Sequence, residues 1–134
     1  MVELRILGRV ESPLVDLTCA PLQGDEGGVN AVLRFDPGLC DALRDLAVGD
    51  EVIVLTWLDR ARRDVLVVRP RNDPSRRETG VFSTRSSDRP NPIGLHRVRI
   101  VAIEATAITV AGLEALDNTP ILDVKPVLGP VGDR

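Results

Sequence analysis

The segment from Gly80 to Leu95 combines cationic side chains with residues that stiffen the backbone; it reads Gly-Val-Phe-Ser-Thr-Arg-Ser-Ser-Asp-Arg-Pro-Asn-Pro-Ile-Gly-Leu. Its two arginines, Arg85 and Arg89, suit a carboxylate or a phosphate. Pro90 and Pro92 fix their own φ and push the residue before each of them towards extended geometry. Such a loop presents guanidinium groups and backbone amides at little ordering cost. The segment therefore predicts a binding loop, and the alternative is a proline-rich connector between strands.

A second candidate lies in the segment Leu-Asp-Asn-Thr-Pro-Ile-Leu-Asp-Val-Lys-Pro, residues 116–126. Asp117 and Thr119 precede its first proline. Asp123 and Lys125 are two residues apart, so in an extended chain they lie on the same face. Lys125 is the only lysine among 17 basic residues, which suggests a need for a compact ammonium group, because lysine and arginine are not interchangeable. The alternative is a surface ion pair that contributes ~0–1 kcal/mol to stability.

Other residues able to do chemistry give weaker signals. His96 is the only histidine, and a structural or solvent-facing role is favoured over a catalytic base. Cys19 and Cys40 lack the paired spacing of metal ligands, so we expect no metal site and two free thiols. The glycine-rich stretch 24–28 does not fit G-x-G-x-x-G and is interpreted as a turn. Trp57 is expected in a buried strand, the alternative being a ring that stacks on a base.

The pattern of apolar residues predicts a mainly β fold. Alternating or continuous apolar residues indicate strands at 2–6, 29–35, 51–58, 65–68, 95–103 and 107–111. The strand at 51–58 is expected to be buried on both sides, and the last two strands are expected to form a hairpin. One short helix is expected to start at Asp36-Pro37, to carry Leu39, Leu43 and Leu46 on one face, and to end before Gly49. These elements predict a small closed or nearly closed β-barrel with one short helix and long loops.

Composition and charge bound the class of protein. With 134 residues, 43% of them hydrophobic and only 2% aromatic, the chain is expected to form one domain over residues 1–134 with an aliphatic core. No secretion signal and no apolar run of bilayer length is found, so a cytoplasmic location is expected. Residues 60–99 contain 11 arginines and four acidic residues, a net charge of +7 in a chain of net charge −3. This asymmetry predicts a basic surface for an anionic partner such as nucleic acid, or else a set of scattered, solvated arginines.

The two candidate segments resemble the signatures of the TrmO-like (TsaA-like) family of S-adenosylmethionine-dependent tRNA methyltransferases. Weaker similarity is found at Glu11-Ser12-Pro13 and at Cys19-Ala-Pro-Leu-Gln23. The resemblance implies a small β-barrel that binds S-adenosylmethionine, as a homodimer with the ligand near the subunit interface. It also implies methyl transfer to N6 of threonylcarbamoyladenosine beside the tRNA anticodon.

The resemblance and the ligand's chemistry together suggest a set of site residues. The ligand's carboxylate suits Arg85, Arg89 or Lys125, and its ribose hydroxyls or ammonium suit Asp117 or Asp123. Asp123 is the first choice for a base. The expected cofactor-binding residues are Arg85, Ser86, Arg89, Asn91, Pro92, Gly94, Leu95, Asp117, Thr119 and Lys125.

The chain also departs from the family pattern, at Leu22, Ser87-Asp88, His96 and Val127. These departures keep two other functions open. One is a non-catalytic S-adenosylmethionine-binding module, and the other is a methyltransferase for a different, small substrate.

Overall fold

The computed structural model describes residues 1–14, 29–70 and 73–129. Short 3-10 helices cover Pro37–Leu43 and Val81–Ser83. No helix in these ranges is long and apolar enough to cross a membrane. The strands are β1 (Gly8–Glu11), β2 (Val29–Phe35), β3 (Glu51–Trp57), β4 (Val67–Val68), β5 (Thr79–Gly80), β6 (Ile93–Glu104), β7 (Ala107–Leu113) and β8 (Pro120–Pro126).

Six of these strands form a closed antiparallel barrel in the order β1-β2-β7-β6-β3-β8, in which β1 also pairs with β8. Strands β4 and β5 form a separate two-stranded sheet. The barrel interior is filled by aliphatic side chains, among them Val10, Leu33, Val54, Ile100, Val110 and Ile121. The predicted mainly β barrel with an aliphatic core is therefore confirmed.

Because neighbouring strands run in opposite directions, the connections between them divide into two sets, one at each end of the barrel. Strands β3 and β7 finish at the same end at which β6 and β8 begin, and we call this the loop end. The connections 58–92 and 114–119 both lie there, as do residues 12–14 that follow β1. The opposite end carries the connection 36–50 and the tight turn between β6 and β7. Both candidate segments of the sequence thus reach the same end of the barrel.

Several predicted elements are confirmed with small changes. β2 has the predicted bounds, β4 is a shorter form of the strand predicted at 65–68, and β6 and β7 form the predicted hairpin. The predicted helix is of the 3-10 type and ends at Leu43. Asp36 caps it, since its Oδ1 accepts from the backbone N–H of Gly38 at 2.9 Å. Cys40 in this helix is an exposed free thiol, whereas Cys19 and the stretch 24–28 lie outside the described residues.

The predicted strand at 2–6 is wrong. Val2, Leu4 and Ile6 are exposed, and the first strand begins at Gly8. Gly8 pairs with Phe35, the last residue of β2, so β2 has no residue left to pair with positions 2–6. An alternating pattern does not make a strand without a partner. Gly8 itself is needed for the close approach, because a Cβ there would lie 2.0 Å from the carbonyl oxygen of Arg34.

The predicted burial of 51–58 on both sides is also wrong. Val52, Val54 and Thr56 are buried in the barrel, while Ile53, Leu55 and Trp57 are only partly covered. In a barrel one face of each strand points to the interior and the other points outwards. The continuous apolar run in β3 therefore leaves an apolar stripe on the outer surface.

Candidate functional site

The two candidate segments meet on the outside of the barrel on either side of β3. Strand β3 pairs with β6, which continues from the loop at residues 81–92, here called the proline-containing loop. On its other side β3 pairs with β8, which carries Asp123 and Lys125. Leu55 is the cross-strand partner of both Leu95 and Asp123, and Ile53 is a partner of Lys125. Two strand spacings separate Leu95 from Asp123, roughly 10 Å. We call this surface the outer β6–β3–β8 face.

Asp123 and Lys125 form an ion pair on this face. Lys125 Nζ lies 3.3 Å from Asp123 Oδ2, and Asp123 Oδ1 accepts from the backbone N–H of Val124 at 2.9 Å. The two side chains are 46% and 64% exposed, so the pair contributes little to folding. Both groups are thus open to a ligand.

The two arginines of the proline-containing loop have different environments. Arg89 donates to three carbonyl oxygens of its own loop, those of Val81 (2.8 Å), Thr84 (3.1 Å) and Ser86 (2.9 Å). Its guanidinium therefore holds the loop in shape. Arg85 is exposed, and within the described part of the chain its guanidinium makes no ion pair or hydrogen bond. Of the two, Arg85 is the cation that is free to meet an anion.

A second segment, Leu58–Arg63, runs along the proline-containing loop and braces it. The backbone N–H of Arg62 donates to Asp88 Oδ1 at 2.9 Å, and the N–H of Arg89 donates to the carbonyl oxygen of Arg62 at 3.0 Å. At the base of the loop, the N–H of Leu58 donates to Pro92 O at 2.8 Å. Nothing in the local sequence predicts this pairing, because the partners are far apart along the chain.

Arg63 is a residue of the candidate site that the sequence reasoning did not select. Its guanidinium lies over the ring of Trp57, 5.2 Å from the ring centroid. Its Nε donates to Pro90 O and its Nη2 donates to Asn91 Oδ1, both at 2.8 Å. Trp57 thus supports the side chain of Arg63, which in turn orients the carboxamide of Asn91. The single tryptophan at the end of a strand, followed by several arginines, is the only signal the sequence offers for this contact.

Gly94 and Pro92 face the interior of the protein. A Cβ on Gly94 would lie 2.4 Å from Thr56 Oγ1 and 2.7 Å from His96 Nε2, so the site needs a glycine. Pro92 is fully buried. Both residues shape the loop end from the inside, and their side-chain positions are closed to a ligand.

His96 forms a hydrogen bond with Thr56 inside the barrel, with 2.8 Å between Nε2 and Oγ1. Burial lowers the pKa of His96 to about 4 from its ordinary value of 6.5. The ring is therefore neutral at neutral pH and largely covered by protein. This geometry supports the structural role that the sequence favoured.

Asp117 and Thr119 form the turn that leads into β8. Asp117 Oδ1 accepts from the N–H of Ser12 at 3.0 Å, and the Asp117 N–H donates to Leu14 O. Thr119 is buried, and its hydroxyl donates to Leu116 O at 2.7 Å. The turn therefore ties the start of β8 to the chain that follows β1. Asp117 remains exposed at the loop end.

The basic segment 60–99 is partly neutralised by its own surroundings. Ion pairs join Arg62 to Asp64 (3.1 Å), Arg69 to Glu78 (3.6 Å) and Arg97 to Glu51 (2.7 Å). The Arg62 guanidinium beside Asp64 holds the pKa of that carboxyl below its usual value. Asp64 and Glu78 are already counted in the net charge of +7, so of these pairs only that of Arg97 with Glu51 lowers the charge available to an anionic partner further. In the described ranges, no group of three or more metal-binding side chains could hold a metal ion.

Large apolar side chains are exposed near the loop end. Phe82 is 85% exposed and adjoins Leu66, whose carbonyl oxygen accepts from the N–H of Val81 at 3.0 Å. Ile93 and Leu95 are about half exposed on the outer β6–β3–β8 face. These side chains belong to the connection 58–92 or to the start of β6, and a continuous group of exposed apolar side chains is typical of a surface that meets a partner. We call the set Leu66, Val67, Phe82, Ile93 and Leu95 the outer apolar patch.

Comparison with known proteins identifies relatives over almost the whole chain. The profile of the tRNA-methyltransferase O N-terminal domain matches residues 9–131. A probable S-adenosyl-L-methionine-binding protein of Archaeoglobus fulgidus is 43% identical over 126 residues, which cover 94% of this chain and 34% of that protein. A protein of the same description from Methanothermobacter thermautotrophicus is 38% identical over 93% of this chain and 89% of its own length.

The fold is also that of a solved structure. The crystal structure of TrmO from P. aeruginosa superimposes with a TM-score of 0.76 at 27% identity, covering 100% of this chain and 59% of that one. The chain thus spans about a third of the first curated relative and about three fifths of the solved structure.

Proposed function

Because the chain belongs to the family of the tRNA-methyltransferase O N-terminal domain, we propose that it is an S-adenosylmethionine-dependent methyltransferase that acts on tRNA. Its specific reaction is N6-methylation of threonylcarbamoyladenosine next to the anticodon. The observation that carries the proposal is the position of β3, which lies between β6 and β8 and so brings the two signature segments onto one outer face of the barrel. The description of its relatives as S-adenosyl-L-methionine-binding proteins supports the choice of cofactor.

The residues of the loop end divide into ligand contacts and supports. Arg85 offers a free guanidinium to the cofactor's carboxylate, and Lys125 offers a second cation on the adjacent face. Asp117 has an exposed carboxylate for a ribose hydroxyl or the ammonium, and Asn91 has an exposed carboxamide. The remaining residues act through the backbone they hold or, for Leu95, through an apolar wall; they are Ser86, Arg89, Pro92, Gly94 and Thr119.

The chemistry is a displacement at the methyl carbon. A bond forms between the acceptor nitrogen and the methyl carbon while the sulfur–carbon bond breaks, and the electron pair of that bond stays on sulfur. The acceptor nitrogen loses its proton, and the carboxylate of Asp123 is our choice for the group that takes it. The main contribution of the protein is to align nitrogen, carbon and sulfur, which the braced loop allows without further ordering.

Two partners complete the proposal. The arginines of segment 60–99 face the phosphates of tRNA, so that binding weakens as salt rises. A second copy of the chain covers the outer apolar patch, which places a homodimer interface beside the cofactor site.

The decisive experiment follows the methyl group. The protein is incubated with S-adenosylmethionine labelled in its methyl group and with either total tRNA or a metabolite extract. We expect label in N6-methyl threonylcarbamoyladenosine after digestion of the tRNA. Label in small molecules alone would indicate a different substrate. Cofactor binding without transfer would indicate the non-catalytic module that the names of the relatives also suit.

The assignment of Asp123 is tested by Asp123→Asn, which keeps the shape of the side chain and removes the base. We expect cofactor affinity to change little and the rate of transfer to fall at least about a hundredfold, the lower end of general-base effects. Glu104→Gln on β6, at the opposite end of the barrel, is the control and is expected to act as the unchanged protein does. A transfer rate within a few-fold of normal in Asp123→Asn would contradict the role.

A further inference from the structure

The contact between Arg63 and Asn91 determines which atom of Asn91 can meet a ligand. A guanidinium only donates hydrogen bonds, so the carboxamide atom that faces it must be the oxygen. Arg63 Nη2 lies 2.8 Å from that oxygen, and Nε holds the carbonyl of the preceding Pro90 at the same distance. This two-point contact fixes both the backbone and the side chain at the corner of the loop. The Nδ2 group of Asn91 is therefore the end that points away from Arg63.

The backbone around Asn91 offers few hydrogen-bond donors to a ligand, so the donor on the Asn91 side chain becomes more important for binding. Pro90 and Pro92 have no N–H to offer a ligand. The N–H of Ile93 is already donated to the carbonyl oxygen of Asn91 at 2.8 Å. The sequence predicted that this loop presents backbone amides to a ligand, but at this corner the prolines have none and the N–H of Ile93 is already used. Asn91 is an exposed residue, and its Nδ2 is the side-chain donor that the contact with Arg63 leaves available.

The stacking of Arg63 on Trp57 explains how this orientation is kept. A guanidinium over an aromatic face is held by cation–π attraction, and its planar fork loses little freedom when both hydrogen bonds form. Trp57 is the last residue of β3, so the contact connects the barrel directly to the loop. A lysine in place of Arg63 has no fork to hold Pro90 and Asn91 together.

We propose that Arg63 is a positioning residue that fixes Asn91 as a hydrogen-bond donor, so that the site selects a ligand with an acceptor atom at this point. The acceptor is a ring nitrogen of the purine or an oxygen of the ligand's carboxylate. This inference rests on the proposed cofactor site and adds the polarity of one contact within it. It also gives a role to an arginine that lies outside both signature segments.

The variant Asn91→Asp separates positioning from mere support of the loop. Its carboxylate still accepts from Arg63, now as a charged pair, but it has no group to donate to a ligand. We expect the melting temperature to be unchanged or raised while the affinity for S-adenosylmethionine, measured by calorimetry, falls at least tenfold. Affinity equal to that of the unchanged protein would overturn the proposal, because a purely structural Asn91 would tolerate this exchange.

Arg63→Gln and Arg62→Gln form a matched pair. Arg63→Gln removes the fork that holds Asn91, whereas the side chain of Arg62 pairs with Asp64 and makes no contact with Asn91 among the described residues. We expect a loss of cofactor affinity of at least fivefold in the first variant and of less than twofold in the second. Equal losses in both variants would overturn the positioning role. In the double variant with Asn91→Asp, the loss is expected to be smaller than the product of the single losses, since both act on one contact.

NMR spectroscopy provides a second measurement, which follows the side-chain NH2 group of Asn91 directly. The side-chain NH2 signals of Asn91, identified in nitrogen–proton correlation spectra by their absence in Asn91→Asp, are expected to shift when the cofactor is added. If the unchanged protein binds the cofactor and these signals stay in place, this inference fails while the proposed function stands. If the unchanged protein binds no S-adenosylmethionine at all, the proposed function fails and this inference fails with it.

Discussion

At the scale of single residues, a small cluster of residues inside the loop end of the barrel restricts which substitutions are tolerated there. Thr56, Gly94 and His96 are in mutual contact on β3 and β6, and Gly94 has no Cβ because the other two fill that space. The sequence analysis placed Gly94 among the expected cofactor-binding residues, on the strength of the resemblance and the ligand's chemistry. The structure shows that the space is taken by the protein itself, which no local pattern could reveal.

The buried imidazole makes stability depend on pH. The pKa of His96 is about 4 in the folded protein and about 6.5 in the unfolded chain, so between these values the unfolded state binds more protons. Stability is therefore unaffected above about pH 7 and is lost as pH falls from 6.5 towards 4, by up to about 1.4 kcal/mol per pH unit. Urea unfolding at a series of pH values measures this slope.

The control for this prediction is His96→Gln, which keeps a hydrogen-bonding side chain that does not titrate. Its stability at pH 5 relative to pH 7 is expected to fall less than that of the unchanged protein. Asp64 and Asp73, whose pKa values are lowered by hydrogen bonds, are present in both proteins and cancel in the comparison. Parallel pH profiles for the two proteins would show that His96 is not the source.

At the scale of elements, the conformation of the proline-containing loop is held by two sets of contacts, one within the loop and one with another segment of the chain. Its prolines and Arg89 belong to the loop itself, and the sequence predicted the stiffness of the loop from the prolines alone. The brace formed by Leu58–Arg63 comes from a segment more than 20 residues earlier and depends on how the connection folds back. The role of Arg89 also shows a limit of sequence reasoning, because residue type alone does not tell a cation that binds a ligand from one that binds carbonyl groups.

Arg89→Lys tests how far the loop's order matters for binding. A single ammonium group cannot reproduce the three hydrogen bonds that the guanidinium donates to the carbonyl oxygens of Val81, Thr84 and Ser86. We therefore expect a loss of about 1–3 kcal/mol in the stability of the loop. Because a disordered loop must be ordered when a ligand binds, cofactor affinity falls as well. Amide hydrogen exchange within residues 81–91 measures the first effect, and calorimetry measures the second.

Arg44→Lys provides the comparison for this loop experiment. Arg44 makes a surface ion pair with Asp41 at the other end of the barrel, so the exchange removes an arginine without touching the loop. We expect exchange within 81–91 and cofactor affinity to stay as they are in the unchanged protein. Unaltered hydrogen exchange in Arg89→Lys itself would mean that the three carbonyl contacts do not hold the loop.

At the scale of the whole molecule, strand pattern and turn chemistry were enough to predict a barrel. The sequence predicted β2 and the β6–β7 hairpin because their alternation matches a strand with one buried face. It failed at 2–6, where the same alternation lacks a partner strand, and at 51–58, where it could not show that the outer side stays open. The convergence of the two signatures depends on the strand order, in which β3 lies between β6 and β8, and no single segment of the sequence shows that order.

The outer apolar patch leads to a prediction for the assembly. Leu95 and Asp123 lie on opposite sides of β3 on the same outer face, so a second copy that covers Leu95 also borders the proposed cofactor site. Leu95→Glu places a charge in that contact, and we expect the dimer to dissociate at least tenfold more readily in sedimentation equilibrium, with an unchanged melting temperature at low concentration. Val48→Glu is the control, because Val48 is 63% exposed at the opposite end of the barrel. It is expected to remain dimeric.

The cofactor connects this assembly to the site. If a second copy completes the cofactor pocket, S-adenosylmethionine binds the dimer better than the monomer and must, by linkage, strengthen the dimer. We therefore expect the dimer of the unchanged protein to tighten when the cofactor is added, and the cofactor affinity of Leu95→Glu to fall together with its ability to dimerise. A monomeric unchanged protein that binds the cofactor fully would contradict both expectations. The apolar patch would then need another partner, and the pocket would have to be complete within one chain.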